Sequence, residues 1–197
     1  MQLSVPFVLA SSSPRRQSLL SKVGFSFTSV SPDLDEVQIE NESAHDMVAR
    51  LAVEKASLVA KDHPSSLVLG SDTCVELHGS VLGKPESAAE ARHMLSQLSG
   101  QTHSVYTGIA LVHLSSSRVV SHVEQTSVTF ASLSAKEIED YVNTGSPMDK
   151  AGAYGIQDDQ GAFFVKSIAG DFYTVMGLPL HQLYVLLRSR FPDLIRE

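Results

Sequence analysis

A single cysteine, Cys74, stands in 197 residues, which excludes an internal disulfide and agrees with a reducing compartment. Positive charge is scarce as well. Fifteen Lys and Arg against 22 Asp and Glu leave a formal net charge of −7, whereas binding to a nucleic-acid backbone depends on the opposite excess. No apolar run approaches membrane-spanning length, and no basic segment followed by a long apolar core opens the chain. Eight histidines occur without an HExxH pattern or a His/Cys cluster, so a zinc site is not expected. The aromatics form no base-stacking pattern, and no repeat, low-complexity tract or Pro/Gly/Ser linker divides the chain. These absences lead to the expectation of a cytoplasmic protein of one domain over residues 1–197, or two lobes sharing a core. It is long enough to bury an apolar interior without staples.

What the sequence does contain starts with Phe7-Val8-Leu9-Ala10-Ser11-Ser12-Ser13-Pro14-Arg15-Arg16. A short apolar run suited to a buried strand passes through three serines into a helix, with Ser13 in N-cap position and Pro14 as first helical residue. First-turn N–H groups without intrahelical partners, the positive end of the helix dipole and three hydroxyls make an anion site. Arg15 and Arg16 pair bidentately with phosphate oxygens, and Arg in a first turn opposes the dipole unless an anion is near. The same stretch reads equally as a surface helix start with solvated arginines.

Further along, Gly24 closes the first helix, Phe25–Val30 alternates like a strand, and an acidic loop carries Asp33, Asp35 and Glu36. A helix from Ser43 places Ala44, Met47, Val48, Leu51, Ala52 and Val59 on one stripe and leaves Lys55 off it, where a solvated lysine is the ordinary case. Leu67–Asp72 reads as a buried strand delivering Asp72 at its carboxyl edge, where open α/β sheets bind ligands; Thr73–Leu77 reads as a second short strand. Gly79–Pro85 fails as a Walker A loop: three residues separate the glycines and Pro85 replaces the Ser/Thr. Full capping boxes open helices at Ser87 and Ser134. Ser104–Leu114 and Arg118–Phe130 form a hairpin, Pro147–Gln157 a glycine-rich loop and Phe163–Ile168 a strand, and an amphipathic helix follows Gly177-Leu178-Pro179. The pattern predicts a mixed α/β sheet.

Polar residues at these element ends fall into cations (Arg15, Arg16, Lys55, Lys84, Lys150) and acids (Glu36, Asp72, Asp149). Phosphoanhydride hydrolysis needs both, cations for charge on phosphate oxygens and carboxylates for a divalent metal or the attacking water. Plainer readings stand beside this one: Asp72 as a turn residue, Asp149 and Lys150 as a surface ion pair, Cys74 as a small buried hydrophobe.

The ordered blocks Leu9-Ala10-Ser11-Ser12-Ser13-Pro14-Arg15-Arg16, Arg50-Leu51-Ala52 with Lys55-Ala56, Gly70-Ser71-Asp72-Thr73, Gly83-Lys84-Pro85, Leu98-Ser99-Gly100 with His103, Thr107-Gly108, Asp149–Gln157 and Gly177-Leu178-Pro179 resemble the Maf family of nucleotide pyrophosphatases across nearly the whole chain. The resemblance implies an elongated mixed sheet flanked by helices around a deep cleft, related to inosine triphosphate pyrophosphatases, and a homodimer. It implies cleavage of a nucleoside triphosphate to monophosphate and pyrophosphate with Mg²⁺ or Mn²⁺. Asp72 then matches the carboxylate that accepts a proton from water, and Glu36 an acidic position that shares the metal with it. Lys84 joins these two in the catalytic set. Ser11, Arg16, Lys55 and Lys84 match triphosphate contacts, with Lys150 added to the binding set, and Arg15, Thr73 and Gln157 match positions that separate subfamilies. Gln157 points to dTTP and UTP, with modified pyrimidine triphosphates as further substrates, because an amide can both donate to and accept from the O4/N3 edge. Glu at that position marks 7-methyl-GTP enzymes. A non-catalytic nucleotide-binding regulator of cell division is the reading from another class. The chain departs from the family at Thr174, where Asn is usual.

Overall fold

The computed structural model describes residues 1–37, 39–157 and 160–196. Along these the chain forms β1 (Phe7–Ala10), α1 (Pro14–Lys22), β2 (Thr28–Ser29), α2 (Ala44–Ala60), β3 (Leu67–Leu77), β4 (Ser80–Leu82), α3 (Ala88–Leu98), β5 (Thr102–His113), β6 (Arg118–Phe130), α4 (Ala135–Asn143), α5 (Gly161–Phe164), β7 (Val165–Ala169), α6 (Phe172–Met176) and α7 (Leu180–Arg190). Six strands follow the order β2-β1-β3-β5-β6-β7, and β4 pairs with β3. Pairing is parallel between β1 and both β2 and β3, and antiparallel between β3 and β4 and between β6 and β7. This is the mixed sheet with flanking helices that the alternation of strand and helix patterns predicts.

Two compact units divide the chain: Met1–Asp72 with Thr107–Glu124 and Gly177–Glu197, and Thr73–Tyr106 with Gln125–Met176. In the first, Val8, Val68, Ala110 and Val112 of the sheet pack with Ala56 and Val59 of α2. Helix α2 starts where Ser43 accepts a hydrogen bond from the Asp46 N–H, and burial of Val48, Leu51 and Val59 contributes about 1.5–3 kcal/mol each. Glycine sets how closely α2 approaches. A Cβ on Gly70 would sit 2.2 Å from the Ala52 carbonyl oxygen, and one on Gly108 equally close to that of Val48. Only a bare backbone lets β3 and β5 lie so near the helix.

In the second unit α3 and α4 cover the sheet, and Leu95, Leu98, Val128, Phe130, Tyr141 and Phe164 form its core. The Ser134 capping box is complete. The Thr174 hydroxyl donates to Asp171 Oδ2 at 2.9 Å and its N–H to the same oxygen at 2.7 Å, so threonine ties this turn locally.

Four expectations need correction. Residues 67–77 are one strand of 11 residues, because no glycine or proline breaks the run after Gly70; Asp72 therefore sits inside β3 rather than at a strand end. The strand expected over Phe25–Val30 shrinks to Thr28–Ser29; among the described residues it is an edge strand paired with β1, itself four residues long. The last strand starts at Val165, after the helical turn Gly161–Phe164. Lys55 lies on the buried stripe of α2, one turn from Leu51, and is itself buried; its charge masked its place in the period.

Candidate active site

The register of β1 and β3 sets Ala10 opposite Gly70, so Ser11 leaves its strand beside the point where β3 continues into Ser71 and Asp72. Pro14 starts α1 as predicted, with Ser13 in cap position, but the Ser13 side chain makes no cap hydrogen bond. Instead the Ser11 hydroxyl accepts from the Ser13 N–H at 3.2 Å and from Arg16 Nη1 at 3.3 Å. With both contacts accepted, its own proton remains to be donated.

Arg16 is fastened at its other edge, where Nε donates to the Gly177 carbonyl at 2.8 Å. The same carbonyl accepts from the Ser71 hydroxyl at 3.1 Å. Burial presses the Arg16 guanidinium below its ordinary value; the Asp72 charge opposes that, Arg15 reinforces it, and Glu36 opposes it more weakly. Arg15, Asp72 and Glu36 thus all act electrostatically on Arg16.

Lys55 and Asp72 are both buried, and Lys55 Nζ donates to Asp72 Oδ1 at 2.6 Å. A second bond of 2.6 Å reaches Glu36 Oε1, from a side chain that is half exposed. One ammonium therefore holds two carboxylates from distant parts of the chain, and the buried charge is compensated on both sides. Ser11, Arg15, Arg16, Glu36, Lys55 and Asp72 come together within the first unit, two carboxylates among three cations.

The acidic loop has an anchor that sequence reasoning missed. Arg50 donates from Nε to Glu42 Oε1 at 2.7 Å, from Nη2 to Glu42 Oε2 at 2.6 Å and to the Val37 carbonyl at 3.1 Å, and from Nη1 to Glu54 Oε2 at 3.2 Å. Its fork matches a carboxylate bidentately, and these bonds raise the Arg50 pKa and lower that of Glu42. Val37 follows Glu36 directly, so Arg50 fixes the backbone that presents Glu36. The only sequence signal was Glu54 at i+4; Glu42 lies outside the helix.

The other candidates belong to the second unit. Thr73 is half-buried in β3, and Lys84 is exposed after β4. Lys150 is buried, and its ammonium bonds the Ser146 carbonyl at 2.5 Å, the Ser146 hydroxyl at 3.3 Å and Asp149 Oδ1 at 2.8 Å. Gln157 is half-buried; among the described residues its Nε2 is buried without a hydrogen-bond partner. Cys74 is buried.

Glu36 and Asp72 supply carboxylate oxygens, the donor type that hard divalent cations such as Mg²⁺ or Mn²⁺ take. Two carboxylates converge on a single nitrogen, and such ions use one or two carboxylates with substrate phosphates and water completing the shell. Among the described residues no group of three or more His, Cys, Asp or Glu could hold a metal.

A family model described as Maf-like protein matches residues 6–190. The chain belongs to the Maf family. This Maf chain is 48% identical over 195 residues to a protein of Salinibacter ruber named dTTP/UTP pyrophosphatase, covering 99% of this chain and 96% of the relative. Proteins of the same name from Symbiobacterium thermophilum and Salmonella typhimurium are 51% identical over 180 residues and 50% over 183, covering 91% of this chain in each case and 91% and 90% of the relatives. Among solved structures, the Maf chain resembles the Ham1 protein of Staphylococcus aureus with a TM-score of 0.54 at 15% identity, covering 93% of this chain and 98% of that one. A HAM1 protein from Coxiella burnetii gives 0.53 at 14%, covering 94% and 99%. These two likenesses establish the fold. No helix of the described Maf chain is long and apolar enough to cross a membrane.

Proposed function

We propose that this protein is a nucleoside triphosphate pyrophosphatase acting on dTTP and UTP, the substrates in its relatives' names. Water attacks the α-phosphorus, and the bond between the α-phosphate and the bridging oxygen to the β-phosphate breaks. The products are the nucleoside monophosphate and pyrophosphate. The observation that carries this reading is the seat in the first unit, where Lys55 bridges Asp72 and Glu36 while Arg16, bonded to Ser11, feels the charges of both carboxylates.

Each side chain has work in that reaction. The Ser11 hydroxyl donates to a phosphate oxygen, and Arg16, held at Gly177, offers charge without losing its orientation. Asp72 orients the attacking water and takes its proton; an ionised carboxylate is a weak base, so orientation is the larger share. Lys55 keeps the carboxylates together in the free protein and meets phosphate oxygens when a triphosphate competes for it. A divalent cation held by Glu36 and Asp72 would supply charge stabilisation on the phosphates. For Thr73, Lys84, Lys150 and Gln157 the roles rest on the motifs they occupy; the amide of Gln157 carries the donor and acceptor that a uracil or thymine edge requires.

The acidic charge and the single buried cysteine support a cytoplasmic enzyme with no affinity for nucleic acid, and the family resemblance supports a homodimer. The test is a nucleotide panel with Mg²⁺ or Mn²⁺ and product analysis. Monophosphate with pyrophosphate, fastest from dTTP and UTP, is the expected result; diphosphate with orthophosphate, or nucleotide bound and left intact, overturns it.

A further inference from the structure

Two ring side chains of the second unit hold the segment that ends in Gln157. Tyr141, from α4, is fully buried, and its phenolic oxygen accepts the Gly155 N–H at 3.3 Å. Tyr154 is buried, and its hydroxyl is hydrogen-bonded to Nε2 of His103, in β5, at 2.8 Å. The rings form one edge-to-face network. His103 lies 5.1 Å from Phe130 and 5.4 Å from Tyr154, Phe130 lies 4.7 Å from Tyr154, and Tyr141 lies 5.1 Å from Phe164, with interplanar angles of 78–85°. Such contacts fix ring orientation as well as burying area.

The polar ends of these rings bond residues 154 and 155, where backbone is held by no strand ladder. A Cβ added at Gly161 would lie 2.7 Å from the Gly155 carbonyl and 2.8 Å from the Tyr141 hydroxyl, so the chain is pressed against the same oxygen on its way out. Two residues after Gly155 comes Gln157, whose buried Nε2 has no partner among the described residues. A buried amide donor left unsatisfied is unfavourable and persists only where its surroundings leave no room to relax.

We propose that Tyr141 and the His103–Tyr154 pair are positioning residues for base selection: they clamp residues 154–155 so that the Gln157 amide stays unspent for the nucleobase. This rests on the reading of Gln157 given above. In this role the two tyrosines act through the loop that carries Gln157 and not on the substrate itself.

The experiment uses the full-length protein and the ratio of kcat/KM for UTP to that for GTP. Tyr141→Phe keeps the ring and removes the acceptor; the ratio falls about 10-fold through a higher KM for UTP, with kcat within about two-fold. Tyr154→Phe, which cuts the tie to His103, moves it in the same direction and carries the test should the first variant fail to fold. Ile138→Val, a buried change in the same helix as Tyr141, lowers Tm and leaves the ratio untouched. Equal losses for both nucleotides, or an unchanged ratio, overturn the proposal. A wild-type protein with no preference for UTP overturns the reading of Gln157 itself, and is recognised before any variant is made.

Discussion

Lys55 Nζ and Asp72 Oδ1 lie 2.6 Å apart between two buried side chains. Helix α2 and strand β3 meet at that bond because Gly70, two residues before Asp72, lets the helix backbone come close. An ammonium confined there serves as counter-charge for a carboxylate whose proposed task is to ready water.

Asp72→Asn keeps the shape and removes the charge. Turnover is expected to fall by about 10²-fold or more with far-UV circular dichroism unchanged, because Glu36 still compensates Lys55. Undiminished turnover would take Asp72 out of the reaction.

Lys55→Met leaves Asp72 and Glu36 facing each other with no cation between them. Stability is expected to drop by about 3–5 kcal/mol in the absence of divalent metal. Added Mg²⁺ should raise Tm more in the variant than in the wild type, since it replaces the lost counter-charge. Equal shifts in the two proteins would show that the carboxylate pair does not hold a cation.

Arg50→Lys loses the fork that grips Glu42 and the Val37 carbonyl. A point charge cannot bond both oxygens in that geometry, so the backbone around Glu36 loosens. The expectation is about a 10-fold fall in kcat/KM together with faster proteolytic cleavage between residues 33 and 42; wild-type resistance to protease would mean the loop is held some other way.

Gln157→Glu trades the amide donor for a second acceptor. Hydrolysis of dTTP and UTP should fall relative to 7-methyl-GTP, measured as pyrophosphate release from each. An unaltered preference removes Gln157 from base recognition.

Burial pushes the His103 pKa down to about 4, against an ordinary 6.5. The folded state therefore refuses a proton that the unfolded chain accepts below pH 6.5. Full stability holds above that pH, is lost progressively as pH falls towards 4, and the loss levels off below it, at roughly 3 kcal/mol from this group. Comparing Tm against pH with a His103→Gln variant isolates the effect: the variant's profile should be flatter between pH 4 and 6.5, and parallel profiles would count against a buried neutral imidazole.

Local signals were readable wherever partners lie within a turn or a strand. Pro14 after three serines, the Ser87 and Ser134 caps and the alternating runs of β5 and β6 state their structure over a few residues. Lys55 was not readable, because hydrophobic period ranks residues by polarity and an ammonium on the buried face looks like an error unless its two acids are known. Arg50 and the His103–Tyr154 bond were hidden for a related reason. The latter spans 51 positions, and no spacing rule reaches so far. β3 was split because Asp-Thr resembles a turn, whereas a lysine from α2 compensates the aspartate within the strand.

The Gly177 carbonyl receives both Arg16 and Ser71, and the first of these bonds closes over 161 positions. Ribosomal synthesis delivers Ser11 and Arg16 some 161 positions ahead of the Gly177 carbonyl that fastens Arg16. A nascent chain consequently leaves Arg16 and Ser71 without this shared acceptor until Gly177 has been made, and products that stop short of Gly177 should be inert however well their earlier segments have folded.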